Sequence, residues 1–256
     1  MWDISGQQVG YLFTMQVDLE RLAAGYRHRP ASSAGLARAK RAAEAAGVGL
    51  GDVAIDVGGG PGEHCAVWGR ARAFGILVDP SHGMTQMGMR RPGVSAIRAQ
   101  SQHLPIANGV ARLVYFHLSI HYGDWRRAVE EARRVLGPNG ECWIWTMGET
   151  HHRQSFLARW FPSVGDIDAA RFPDPKRIVH FMKERWTRVE TGQEVEPRVT
   201  RSGTWRSAVE ARFVSTLQLV PEDEFRRGLA AYDEAHPDPE ELVAYRLTFD
   251  WVRARK

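Results

Sequence analysis

Cysteine, lysine and long apolar runs are all scarce in this chain, and each scarcity removes a class of protein. The two cysteines among 256 residues, Cys65 and Cys142, stand 77 positions apart inside apolar segments. That argues against a disulfide framework or a cysteine-built metal centre and fits reduced, buried thiols, the state expected in the cytoplasm. No stretch approaches the ~18 uninterrupted apolar residues of a membrane-spanning helix. The opening residues, MWDISGQQVGYLF, carry Asp3 and lack a basic run ahead of their apolar positions, unlike a secretory signal. The expectation is a soluble chain that stays in the cytoplasm. Lysine supplies only 4 of the 34 basic residues, and the arginines are scattered without a polybasic block, so the net charge of +4 argues little for nucleic acid. What is present is ordinary for a globular chain: 43% hydrophobic and 25% charged, in a length that suits one domain with an elaborated lid.

Residues 1–32 mix Trp2, Tyr11, Phe13 and Tyr26 with polar groups and suggest a capping segment, while the Ala/Arg/Lys-rich stretch Ser32–Ala46 predicts a helix. Apolar runs at Val53–Val57, Gly75–Val78, Arg112–Leu118 and Glu141–Thr146 alternate with helical segments. That rhythm predicts a parallel sheet with helices on both faces. The clearest helix follows Asp124, an N-cap residue type: Trp125, Ala128, Val129, Ala132, Val135 and Leu136 recur at helical spacing, and Glu130 can pair with Arg134. It should end at Gly137-Pro138-Asn139-Gly140, where proline cannot continue it and Asn139 and Gly140 tolerate positive φ. Beyond Met147 the rhythm changes to helix-like Lys176–Trp186, an extended Val189–Val199, helix-like Trp205–Leu219, a helix over Pro221–Ala235 and an alternating run Leu242–Val252.

The most informative residues are Asp56-Val57-Gly58-Gly59-Gly60-Pro61-Gly62, where a strand gives way to a helix. Glycines there let the backbone approach a ligand, and the helix start offers unpaired N–H groups. Twenty-one residues after Gly58, the second strand ends in Asp79, the place where a doubly wound sheet hydrogen-bonds the hydroxyls of a ribose. The pair points to an adenosine-type cofactor without separating a nicotinamide dinucleotide from S-adenosylmethionine. Against the dinucleotide, position 63 is Glu, a negative charge where G-x-G-x-x-G places pyrophosphate on the helix N-terminus.

The D-x-G-x-G-x-G spacing resembles instead the first motif of class I S-adenosylmethionine-dependent methyltransferases, the group that includes the menaquinone/ubiquinone-biosynthesis type. Val78-Asp79-Pro80-Ser81 with Met84 is similar to that family's second motif. Gln100-Ser101-Gln102-His103-Leu104-Pro105 stands where the family writes Asp-Ala-Glu-x-Leu-Pro, and Ala132–Gly140 resembles its Arg-Val-Leu-x-Pro-Gly-Gly turn. The match covers about residues 50–147. The resemblance implies an α/β fold: a doubly wound Rossmann-like sheet, mostly parallel with an antiparallel last strand, with helices on both faces, an N-terminal cap and a lid insertion after the fifth strand. One domain would span 1–256, with 1–49 as cap and first helix, 50–147 as cofactor-binding core, and 148–256 as lid and C-terminal half of the sheet.

Carried over residue by residue, the resemblance puts Asp56, Gly58, Gly59, Gly60 and Gly62 in the loop under the methionine part of the cofactor and gives the ribose hydroxyls to Asp79. Pro80 and Met84 would pack on adenine, Ser101 would reach its edge through the backbone N–H, and Gln100 would stand in for the acid that accepts from the adenine amino group. Phe116 and His117 would present carbonyls to the methionine ammonium. Arg112 departs from the aspartate common at the start of the fourth strand.

Methyl transfer from a sulfonium is an in-line displacement that needs a base only where the nucleophile must lose a proton. His121, just past the fourth strand, is the first candidate and His117 the second. The two stand four residues apart, but HLSIH lacks the Glu of H-E-x-x-H and no third ligand is in view, so no metal is expected. Tyr11, Tyr122, Trp145, Met147 and His151 are candidates to touch the acceptor, and Tyr26 and His28 lie in the segment that in this family often folds over the cofactor mouth. Residues Lys176–Arg212 hold nine Lys/Arg against five Glu. With Ile178, Val179, Phe181, Met182 and Trp186 on one face, that stretch suggests a lid helix, greasy inside, over a hydrophobic or aromatic small molecule. The expected activity is methylation of an O, N or C nucleophile of such a metabolite, leaving S-adenosylhomocysteine. The alternatives are an RNA or protein methyltransferase and a silent cofactor-binding protein. Phe116-His117-Leu118-Ser119 lacks the Asn/Asp-Pro-Pro-Tyr pattern that stacks a flipped base, which tells against nucleic acid.

Overall fold

The computed structural model of the chain describes residues 17–26 and 33–256. Helices α1 (Leu19–Gly25) and α2 (Ser33–Ala46) precede strand β1 (Val53–Val57). Strand and helix then alternate through α3 (Glu63–Arg70), β2 (Phe74–Asp79), α4 (His82–Met89), β3 (Val94–Arg98), β4 (Ala111–His117), α5 (Trp125–Val135) and β5 (Leu136–Thr146). Helices α6 (Glu149–Gln154), α7 (Phe156–Trp160), α8 (Ser163–Arg171) and α9 (Pro175–Lys183) lead to β6 (Arg188–Arg201). Between β6 and β7 (Leu242–Arg255) lie α10 (Ser202–Glu210) and α11 (Glu222–Ala235).

The seven strands form one sheet in the order β3-β2-β1-β4-β5-β7-β6. The five strands β1 to β5 run parallel, and β7 lies antiparallel between β5 and β6. Parallel strands covered on both faces must be apolar on both, and β4 shows how. Its Val114 and Phe116 face a core closed by Ala128, Val129 and Ala132 of α5 and by Ile178 and Met182 of α9. Its Leu113 and Tyr115 face Ala39, Ala42 and Ala46 of α2 and Trp68 of α3. The alternation is the two-residue period of a strand. A third core, around Phe161, Trp205, Phe225 and Tyr232, holds α7, α8, α10 and α11 together beyond the sheet. Because β1 has β2 on one side and β4 on the other, the order reverses there, and a crevice opens at the carboxyl ends of β1 and β4.

Four local expectations come out differently. Arg134 pairs with Glu131 at 2.7 Å, not with Glu130, because that fork also holds the β3–β4 connection: Arg134 donates to the carbonyls of Leu104 and Ile106, and Glu131 accepts from the Leu104 N–H. The Trp205–Leu219 stretch is not one helix. Arg212 takes φ of 51° after α10, and its buried guanidinium donates to the Leu217 carbonyl and the Glu222 carboxylate, which turns the chain back on itself. The expected turn at Gly137–Gly140 falls inside β5, which begins directly after α5, and there Asn139 takes positive φ and Gly140 does not. Helix α9 covers a face of the sheet: Ile178, Met182 and Trp186 pack into the α5 core, so its apolar side closes no lid. Among the described residues no helix is long and apolar enough to cross a membrane.

Candidate active site

The crevice is built first by the loop that leaves β1. The Gly58 N–H donates to the Val78 carbonyl at 2.7 Å, tying the loop to the tip of β2. At Gly58 φ is +67°, and a Cβ there would lie 2.5 Å from that of Ser119; at Gly59 it would lie 2.3 Å from the Asp56 carboxylate. Side chains at these positions would strain the backbone or fill the cradle. Gly62, at φ of 74°, starts α3 without a side-chain cap, which leaves N–H groups of its first turn open.

Asp79 ends β2. One carboxylate oxygen accepts from the Gly60 N–H at 3.0 Å and the other from the Ser81 N–H at 2.9 Å. Burial pushes its carboxyl up to about 6 against the pull of those two donors. Ser81 caps α4 through the Met84 N–H, and the Glu20 carboxylate of α1 accepts from the His82 and Gly83 N–H groups at 2.7 and 2.9 Å. A carboxylate suits the open donors and positive end of a helix, so α1 is clamped to the rim beside Asp79.

Behind the glycine loop, fully buried Asp56 meets Nδ1 of His64 at 3.0 Å, and its other oxygen has no partner among the described residues. One cavity of about 1620 Å³ runs from this loop past Asp79, Gln100 and Ser101 to the end of β4. There His117 lies 5.1 Å from the His64 ring and 5.9 Å from that of Phe249. His121, on a 3-10 turn over Ile120–Tyr122, stacks on Phe172 at 3.8 Å between ring centres and leans on Tyr122. Neither ring nitrogen of His121 has a hydrogen-bond partner among the described residues. Burial first, then the charges of Arg171 and His152, holds the imidazole well below its ordinary value, so it is neutral at neutral pH.

Of the residues singled out in the sequence, Gly58, Gly59, Gly60, Asp79, Pro80 and Met84 line this cavity, as do Gln100, Ser101, His117, His121, Tyr122 and Tyr26. Asp56, Gly62 and Phe116 stand behind its wall. Trp145 and Met147 do not line it; both are buried in the core against α2. His151 lines a separate pocket of about 250 Å³, where its Nδ1 accepts from the Thr248 N–H and burial takes it down to about 4. The walls that Trp145 and Met147 were expected to supply come from Leu247 and Phe249 of β7. Tyr11 and His28 lie outside the described residues.

Wall residues that the sequence did not single out include His64, Arg38, Arg171 and Phe249. Arg38 carried a signal, a lone charge on the helix stripe otherwise made of Ala39, Ala42, Ala43 and Ala46. Its guanidinium, 1% exposed, pairs with Glu194 and Glu196 of β6 at 2.8 and 2.7 Å and lies 3.8 Å from the centre of the Phe249 ring. His64 and Arg171 carried none, since only the fold brings them to the crevice. Among the described residues no cluster of His, Cys, Asp and Glu could hold a metal ion.

Residues 55–144 match the methyltransferase domain family. That stretch is a methyltransferase domain. No curated protein matches it in sequence, so the remaining likeness is to solved structures and is one of fold. A protein of Anabaena variabilis, described as a candidate methyltransferase from an antibiotic biosynthesis pathway, is 19% identical, with 86% of this chain and 96% of that one covered and a TM-score of 0.65. YcgJ of Bacillus subtilis is 14% identical over 85% and 97% of the two chains, with a TM-score of 0.61. Geranyl diphosphate C-methyltransferase of Streptomyces coelicolor, in complex with geranyl diphosphate and S-adenosylhomocysteine, is 15% identical over 86% and 78%, with a TM-score of 0.52. The methyltransferase uses S-adenosylmethionine, and its crevice fits that cofactor: the glycine cradle has no room for side chains, and Asp79 presents a carboxylate at the sheet edge.

Proposed function

We propose that the enzyme methylates an O, N or C nucleophile of a small, largely hydrophobic or aromatic metabolite. The observation that carries this reading is the single cavity, which joins the glycine loop and Asp79 to a chamber walled by His121, Tyr122, Leu247 and Phe249. Cofactor and acceptor can therefore meet inside one cavity, and most of the catalysis can come from their alignment.

S-adenosylmethionine supplies a methyl group on a sulfonium, ready for in-line displacement. On this reading Asp79 accepts from the ribose hydroxyls, Pro80 and Met84 hold the adenine faces, and Gln100 and Ser101 meet the adenine edge. The loop Gly58–Gly60 passes under the methionine part, supported from behind by Asp56, while the carbonyls of Phe116 and His117 face its ammonium. His121 takes the proton from an acceptor hydroxyl or amine, and Tyr122 and Phe249 hold the acceptor body. We assign one methyltransferase domain to 1–256, because α2 pins itself to β6 through Arg38 and the last strand returns beside β5. Two free, buried cysteines support a cytoplasmic setting.

The test is calorimetry with S-adenosylmethionine and its demethylated product, followed by transfer of a labelled methyl group into a metabolite extract of the source organism. We expect binding of both and label in a small molecule. Label in bulk RNA or protein, or none anywhere, would overturn the reading.

A further inference from the structure

Beside His121 the cavity is lined by a cation, Arg171, that has no ion-pair partner among the described residues. Arg171, at the end of α8, lines the cavity half-buried beside His121. Its two terminal nitrogens donate to uncharged oxygens, Thr216 Oγ1 at 3.1 Å and Ser215 Oγ at 3.0 Å, and its guanidinium lies 5.7 Å from the Tyr122 ring centre. Among the described residues no carboxylate comes within ion-pairing distance of it. Arg38, Arg198 and Arg91 of the same cavity differ: Arg38 is held by Glu194 and Glu196, Arg198 by Glu196 and Arg91 by Glu63, while Arg90 is an exposed residue beyond the adenine side. The acid on this wall, Asp124, is engaged as the N-cap of α5 and with Arg127 at 3.6 Å.

A half-buried guanidinium whose direct partners are hydroxyls keeps an unpaired charge facing the cavity, and an anion is the partner that suits it. The neutral hydroxyls fix its position, and the acid behind them, buried Asp168, accepts from Thr216 and interacts with the Arg171 charge across that hydroxyl without direct contact. His121, two ring nitrogens free, faces the same space. We infer that the acceptor carries an anionic group, a carboxylate or a phosphate, which Arg171 grips so that another part of the molecule is presented to the methyl group. The inference rests on the small-molecule reading above and narrows it from a greasy metabolite to an amphipathic acid.

The experiment extends the label transfer. Labelled products from the extract are passed over an anion exchanger at neutral pH, with and without prior phosphatase treatment. We expect the labelled product to be retained; release by phosphatase identifies a phosphate ester, and continued retention a carboxylate. With that product's parent as substrate, Arg171→Gln should raise KM by about 10- to 100-fold, the loss of a charge-assisted hydrogen bond, with kcat moved far less. Arg171→Lys should recover part of the loss, since it restores the charge without the fork. Calorimetric affinity for S-adenosylhomocysteine should stay within about twofold in both variants, which shows that they are folded. A labelled product that flows through as a neutral or cationic molecule overturns the inference and leaves the small-molecule reading standing, as does an unchanged KM in a folded Arg171→Gln. No labelled small molecule at all overturns both.

Discussion

Asp79 is a carboxylate whose burial works against its own charge. Its carboxyl is lifted from 3.8 to about 6, so the unliganded fold holds a proton more readily than the unfolded chain, and this group opposes stability as pH rises across that window. Hydroxyls donate to the charged form. Affinity for S-adenosylmethionine should therefore be full above about pH 6 and weaken as pH falls through it; a calorimetric series that is flat down to pH 5 would remove Asp79 from the ribose. Asp79→Asn should cost about 10- to 100-fold in affinity, since the amide loses the charge and turns an N–H₂ toward one of two backbone donors. His121 presents the opposite case, a base kept neutral by burial. His121→Ala should lower turnover by about 100- to 10,000-fold on an acceptor that must lose a proton, with cofactor affinity preserved. Unchanged turnover would assign the ring to packing on Phe172.

At the scale of elements, two charged contacts decide how the crevice is closed. Glu20 clamps α1 to the start of α4, and the Gly83 and His82 N–H groups hold its carboxyl below the ordinary range. A depressed acid contributes stability that is present above its unfolded value and lost as pH falls through the folded one, so α1 should loosen only in acid. Glu20→Ala should release it at neutral pH at a cost of about 0.5–1 kcal/mol, read as faster amide exchange in α1 with the sheet unaffected. Arg38 pins α2 to β6 from inside the core. Arg38→Met would leave Glu196, which is 7% exposed, with Arg198 in place of two guanidinium partners and should cost about 1–3 kcal/mol in a urea titration. The Arg134–Glu131 fork does related work at the surface, holding the connection that carries Gln100 and Ser101.

For the whole molecule, ligand and fold are linked by mass action. Saturation with S-adenosylhomocysteine at a hundred times its Kd adds about 2.7 kcal/mol, which for a chain of this size means a rise of about 5–10 °C in melting temperature. NAD at the same concentration should leave the melt unmoved, because Glu63 sits at the helix start where pyrophosphate would dock.

The sequence alone determined the cofactor half. The β–α–β rhythm, the glycines of 58–62, Asp79 at the end of a strand and the Asp124 cap are local patterns, read within a few residues by periodicity and backbone freedom, and their neighbours in space are nearly their neighbours in the chain. The acceptor half was decided only by the tertiary structure. Phe249 and Leu247 reach the cavity from the far end of the chain, Arg171 from a helix whose role no spacing marks, and His64 gains meaning only when α3 folds back over Asp56. Trp145 and Met147 illustrate the limit from the other side. Their residue types and their place after β5 suited a pocket wall, yet the alternation of β5 turned them into the core under α2, because burial of a large apolar side chain is decided by which sheet face a helix covers.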